Sequence, residues 1–342
     1  MATGHAALAR AGAAGYRRRV ETDILGAPYE RRTIELGRDD EGEVVATLVR
    51  LRAAGPTNRA VLYLHGFVDY FFQTHLAEFY TARGYDFYAL DLRKYGRSLR
   101  EHQTPNFIAD LADYDAEINE AVRIIRQDEG HDTLVLNGHS TGGLIAALWA
   151  NRVRGRGLVQ GLFLNSPFFE FNSPWLVRHT LNPIVGFLGK RRPKAGIPQE
   201  LGKTYGRSLH RDYDGEWEYD LAWKPLQGYT IYAGWVRAIS QAHRELQAGL
   251  AVDVPVLVAA SARTYRGGFA DAAHHADAVL DVEHIAKYAP GLGPDVTLVR
   301  IEGGKHDLVL SPTAARELVF GTLDGWLRST PTLGVDTTLG VD

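Results

Sequence analysis

The pentapeptide Gly138-His139-Ser140-Thr141-Gly142 constrains this chain more than any other stretch, because of what flanks it. It follows the apolar run Thr133-Leu134-Val135-Leu136-Asn137, which reads as a strand, and leads at once into Gly143-Leu144-Ile145-Ala146-Ala147-Leu148-Trp149-Ala150, which reads as a helix. Strand, sharp turn of small residues, helix: in that setting G-x-S-x-G reads as a nucleophile elbow. The serine must take a strained backbone conformation, and side chains at the two outer glycines would strike the neighbouring strand or helix. The turn then presents the Ser140 hydroxyl at the carboxyl edge of a sheet. The Thr141 N–H, at the helix start, is free to donate to an anion.

The rest of the chain alternates short β-rich runs with helical patterns, which predicts a mainly parallel sheet with helices on both faces. Eight strands are expected: 32–36, 44–51, 60–64, 86–91, 134–136, 159–164, 255–259 and 296–301. The first two alternate polar and apolar residues, as an antiparallel, partly exposed edge does. From Pro167 to about Leu250 the rhythm stops. That stretch holds Trp175, Trp217, Trp223 and Trp235 and apolar residues at helical spacing, and predicts a mostly helical cap inserted over the sheet's carboxyl edge.

Bulk properties exclude several classes. Among 342 residues there is no cysteine, which rules out disulfides, thiol catalysis and cysteine-based zinc sites. A formal net charge of -3 gives no reason to expect nucleic acid as a partner. Arg17-Arg18-Arg19, Arg31-Arg32 and Lys190-Arg191-Arg192 read as local surface charge, the last with a peripheral membrane contact as its alternative. No apolar run approaches the roughly 18 residues of a membrane span. The alanine-rich start lacks the apolar core of a signal peptide, so the cytoplasm is the default location. His274-His275, adjacent and without further ligands, make a poor metal site, and no cofactor is expected.

A serine hydroxyl needs a histidine to take its proton and a carboxylate to orient that histidine. On a sheet of this kind the chain order is nucleophile, acid, histidine. Gly303-Gly304-Lys305-His306 follows the last expected strand, which places His306 at the same edge as Ser140. The acid should follow the strand ending near Ala260. Asp277 opens Asp277-Ala278-Val279-Leu280-Asp281, an apolar pair between aspartates that would tether the loop and aim its first carboxylate at the site. Asp281 and Asp271 are the alternatives, each more at home as a helix cap or turn residue. An oxyanion hole needs two backbone donors. Thr141 supplies one, and Phe67 in His65-Gly66-Phe67 is the candidate for the second, with His65 bracing the loop.

Taken in order, His65-Gly66, Asp91-Leu92-Arg93-Lys94-Tyr95-Gly96-Arg97-Ser98, Gly138-His139-Ser140-Thr141-Gly142-Gly143, Asp277-Ala278-Val279-Leu280-Asp281 and Gly304-Lys305-His306-Asp307 resemble the α/β-hydrolase family. Within it they are most similar to the monoacylglycerol lipase and lysophospholipase-like group. The resemblance spans about residues 30 to 328. It implies Ser140 as nucleophile, Asp277 as acid, His306 as base, Phe67 and Thr141 as oxyanion donors, and a lid. The implied division is an N-terminal extension (1–29), a core (30–166 and 251–328), a helical cap (167–250) and a disordered tail (329–342) carrying the Thr-Leu-Gly-Val-Asp duplication. The loop Phe67-Val68-Asp69-Tyr70-Phe71-Phe72 departs from the group, which has a further glycine there; its bulk would reshape the acyl pocket. The expected activity is hydrolysis of monoacylglycerol or lysophospholipid-like acyl esters. Amide hydrolysis, acyl transfer and capture of an apolar ligand without catalysis are the alternatives.

Overall fold

The computed structural model describes residues 20–172, 185–197 and 203–333. Residues 1–19, Trp175 and 334–342 of the tail duplication lie outside them.

The main sheet begins with β1 (Val20–Thr22), β2 (Glu30–Arg38), β3 (Glu43–Leu51), β4 (Arg59–Leu64), β5 (Asp86–Asp91), β6 (Thr133–His139) and β7 (Gly161–Asn165). Two short strands, β8 (Gly196–Ile197) and β9 (Ile231–Tyr232), pair antiparallel outside it. β10 (Val256–Ser261) and β11 (Val296–Ile301) complete the main sheet, whose order is β1-β2-β3-β5-β4-β6-β7-β10-β11. β1, β2, β3 and β5 pair antiparallel, and from β5 onward every neighbour is parallel.

The apolar runs decide this arrangement. β5, β7 and β10 are buried at every position, so they have helices on both faces, whereas β11 at the far edge is mostly half-exposed. Side chains alternate between two cores. Leu62, Leu134, Leu162 and Val258 face one, with α2 (Asp115–Arg123), α3 (Thr141–Arg152) and an insert helix packed on it. Val61, Val135, Phe163 and Leu257 face the other, which α1 (Thr74–Thr81) and the C-terminal helix cover. The insert between β7 and β10 contributes α4 (Lys203–Leu209) and α5 (Ala233–Gln247); α6 (Val282–Tyr288) and α7 (Thr313–Ser329) follow β10 and β11. Among the described residues no helix is long and apolar enough to cross a membrane.

Two expectations need correction. Among the described residues the sheet has nine strands, not eight, because Val20-Glu21-Thr22 adds an antiparallel edge paired to Glu30–Arg32. Three residues are too few to show a period, so residues 20–22 read as extension when they form an edge strand. The tail from 329 is also not free at its start. Leu333 is fully buried, and its carbonyl accepts a 2.6 Å hydrogen bond from the Tyr85 hydroxyl.

Candidate active site

The β6–α3 turn holds Ser140 at φ +53°, a left-handed conformation that a non-glycine residue adopts only where its surroundings impose it. The imposition is visible. The Ser140 N–H donates to the Asn165 carbonyl at 3.0 Å, and its own carbonyl accepts from Gly143 and Phe168 at 2.9 and 3.0 Å. A Cβ on Gly138 would lie 2.6 Å from the Gly142 oxygen, and one on Gly142 would press into the Leu64 and His65 carbonyl oxygens. Both glycines are therefore demanded by close backbone approach. Gly142→Ala is expected to lower the unfolding free energy by about 1–3 kcal/mol, the usual range for overpacking. Urea denaturation checks it; an unchanged midpoint would show that the turn relaxes freely.

His306 sits in the loop after β11, where Gly303 takes φ +69° to make the turn. Its Nε2 lies 2.9 Å from Ser140 Oγ, and its Nδ1 lies 2.9 Å from Asp277 Oδ2. A carboxylate can only accept, so Nδ1 carries the proton and the Nε2 lone pair faces the serine hydroxyl. Asp277 is fully buried, and its second oxygen accepts from the N–H groups of Val279 and Leu280, both at 2.8 Å. The apolar pair thus contributes backbone donors to the carboxylate, while Leu280 is buried in the core and Val279 packs against it.

The long excursion after β10 folds back on itself. The Asp277 N–H donates to the Arg263 carbonyl at 2.9 Å and the Tyr265 N–H to the Asp277 carbonyl at 2.7 Å, which returns the chain to β10. Asp281 caps α6 and pairs with Arg266 at 2.7 Å, and Asp271 is exposed in a short turn; neither contacts His306. His139 points beneath the turn, where its Nδ1 donates to the Asn165 carbonyl at 3.2 Å.

On the other side of Ser140 lies the loop after β4. A Cβ on Gly66 would come 3.1 Å from Ser140 Cβ, so this loop and the elbow are in contact. His65 donates through Nδ1 to the Gly66 carbonyl at 2.8 Å and accepts at Nε2 from the Leu92 N–H at 3.1 Å, and so braces the loop as a neutral ring. Among the described residues, neither the Phe67 N–H nor the Thr141 N–H has a hydrogen-bond acceptor.

Behind the serine is a buried polar network that sequence reasoning missed. Asp69, His139 and Asp307 bring ligand-type atoms within 4.8 Å of one another. Lys224 Nζ, however, lies 2.7 Å from Asp69 Oδ1, while Asn165 and Gln73 donate to Asp307 at 2.7 and 3.2 Å. Burial pushes the Asp69 carboxyl up, but the Lys224 ammonium together with the nearby His139 and His65 rings holds the group below its ordinary value. The ammonium thus supplies the charge that a metal would bring. The only sequence signal was the acidic, bulky character of 67–72, since Lys224 is 155 residues from Asp69.

A strained serine at a strand–helix turn, hydrogen-bonded to an imidazole backed by a buried carboxylate, on this sheet order, defines an α/β hydrolase. Residues 55–313 match the Hydrolase_4 family, described as serine aminopeptidase, S33, and the chain belongs to that family. No curated protein sequence matches. Among solved structures, a soluble variant of monoglyceride lipase from Saccharomyces cerevisiae is similar at 16% identity and TM-score 0.62, over 94% of this chain and 99% of that one. A monoacylglycerol lipase from Paleococcus ferrophilus is similar at 19% identity and TM-score 0.60, over 83% and 99%. Est1E from Butyrivibrio proteoclasticus, with ferulic acid bound, is similar at 18% identity and TM-score 0.54, over 84% and 96%. At these identities the likeness shows the fold.

Proposed function

We propose that the protein is a serine hydrolase of carboxylic acyl esters, with Ser140, His306 and Asp277 as its triad. Ser140 Oγ attacks the ester carbonyl as His306 Nε2 takes its proton. The N–H groups of Phe67 and Thr141 bind the oxyanion. His306 then protonates the leaving alkoxide, and water, activated by the same imidazole, releases the acid from the acyl-enzyme. Asp277 keeps Nδ1 protonated throughout and stabilises the imidazolium. The observation that carries this reading is the unbroken pair of 2.9 Å contacts from Asp277 through His306 to Ser140.

The preferred substrates are monoacylglycerol or lysophospholipid-like esters. Apolar walls beside the serine support this: Phe67 packs on Trp235 with ring centroids 4.3 Å apart, and Phe168, whose N–H is bonded to the Ser140 carbonyl, stands 6.5 Å from the same tryptophan. The insert bearing Trp235 serves as the lid over this cleft. The family description favours peptide-bond hydrolysis as a second reading, on the same machinery.

A fluorophosphonate probe tests the mechanism. Labelling of the wild type, absent from Ser140→Ala, is expected; no wild-type labelling, or equal labelling of both, ends the proposal. A panel of monoacylglycerols, lysophosphatidylcholine, p-nitrophenyl esters and aminoacyl anilides then separates the ester and peptide readings.

A further inference from the structure

The loop that carries Phe67 is held from two sides, by the sheet and by the insert. Val68, a β-branched residue, takes φ +52°, a conformation that is rare for such a side chain and persists only under external restraint. Lys224 lies against this segment. Its Nζ lies 2.7 Å from Asp69 Oδ1 and 3.5 Å from the Val68 carbonyl oxygen, with Asp69 1% and Lys224 8% exposed. The flanking residues interlock as well. The Asp220 N–H donates to the Tyr70 hydroxyl at 2.7 Å, and Trp223 meets the Tyr70 ring edge-on at 5.1 Å. From the sheet side, His65 braces Gly66, and Phe71 is fixed by its N–H, which donates to Asp91 Oδ1 at 2.9 Å, and by its carbonyl, which accepts from Arg97 at 2.9 Å.

We propose that Lys224 is a positioning residue: its ion pair with Asp69 fixes Val68 in its strained conformation and so sets the Phe67 N–H beside Ser140. This rests on the hydrolase reading, in which that N–H binds the oxyanion. It makes the insert part of the anion-binding half of the site as well as its cover. A merely structural ion pair is a different claim with a different signature. Replacing a buried pair by neutral groups of similar size is often neutral for stability, because both desolvation costs go with the attraction. A stability measurement therefore does not register the positioning role, whereas turnover does.

The test is the double variant Asp69→Asn/Lys224→Met, which leaves no unpaired charge. A melting temperature near wild type is expected, with kcat on p-nitrophenyl butyrate reduced on the order of 10- to 100-fold and KM within about twofold, as for a displaced oxyanion donor. Phosphonylation of Ser140 should slow in parallel, and amide exchange across 67–71 should accelerate. A folded variant with kcat within about threefold of wild type and unchanged exchange overturns the proposal. If the double variant does not fold, Asp69→Asn decides, because it removes the charge that pairs with Lys224 while keeping the side chain's size and an oxygen for the ammonium. It is expected to give the same pattern at about 3- to 10-fold, and an unchanged kcat and exchange overturn the proposal. A wild type that resists the probe would sink the hydrolase reading instead. The exchange comparison then judges the clamp alone, and unchanged protection at 67–71 overturns it.

Discussion

Asp277→Asn is expected to lower kcat by about 10⁴-fold with little change in melting temperature, because it selects the wrong tautomer of His306. The geometry makes the direction clear. One oxygen of Asp277 accepts from the N–H groups of Val279 and Leu280, and only the amide oxygen of asparagine can replace it there. The amide nitrogen must then face His306 Nδ1, where the carboxylate stood at 2.9 Å. An amide nitrogen donates, so Nδ1 must accept and the ring proton moves to Nε2. That proton points at Ser140 Oγ, and the base is lost without any change of shape. Asp281→Asn and Asp271→Asn, at residues that do not touch His306, should keep kcat within about twofold. Steady-state rates on a p-nitrophenyl ester separate the three. An Asp277→Asn enzyme retaining more than about a tenth of wild-type kcat would remove Asp277 from the triad.

The contrast among these aspartates marks what the sequence reveals. Ser140 and His306 are legible because each sits in a local pattern, strand followed by a glycine turn, which fixes its place relative to the sheet. Asp277 is harder to read because sixteen residues separate it from Ala260, and spacing carries no trace of the Arg263–Asp277–Tyr265 hydrogen bonds that close the excursion. The Asp69–Lys224 pair is less legible still: two charged residues far apart in the chain look like ordinary surface charge until folding buries them together. The same holds for β1 and Leu333. Three residues show no period, and a single leucine in a polar tail gives no sign that Gly161 leaves room for it, although a Cβ there would lie 2.8 Å from its side chain.

Arg97→Met is expected to destabilise the protein by about 3–5 kcal/mol at neutral pH, the range for removing one partner of a buried ion pair. The guanidinium grips Asp23 through Nε and a terminal nitrogen at 2.7 and 2.8 Å, and its other terminal nitrogen reaches Asp91 at 2.9 Å and the Phe71 carbonyl at 2.9 Å. The guanidinium side chain is 1% exposed and both carboxylates 0%. Methionine keeps the aliphatic bulk but leaves two carboxylates in a dry site. The pH dependence gives a second, independent sign. In the wild type, burial pushes the Asp23 carboxyl up, but Arg97 together with the Leu25 and Ile24 N–H groups holds it below 3.8. Its stabilising contribution is therefore complete above that value and is lost as the pH falls through the lowered one. Without Arg97 only the effect of burial and two backbone donors remains, so the Asp23 carboxyl should titrate above its wild-type value, and acidification relieves the variant before it harms the wild type. Denaturant titrations at about pH 7 and about pH 4 should show the gap between the two proteins narrowing at the lower value. A gap of the same size at both would mean that Asp23 finds another cation or water when Arg97 is gone, and that the N-terminal strand is not held by this charge.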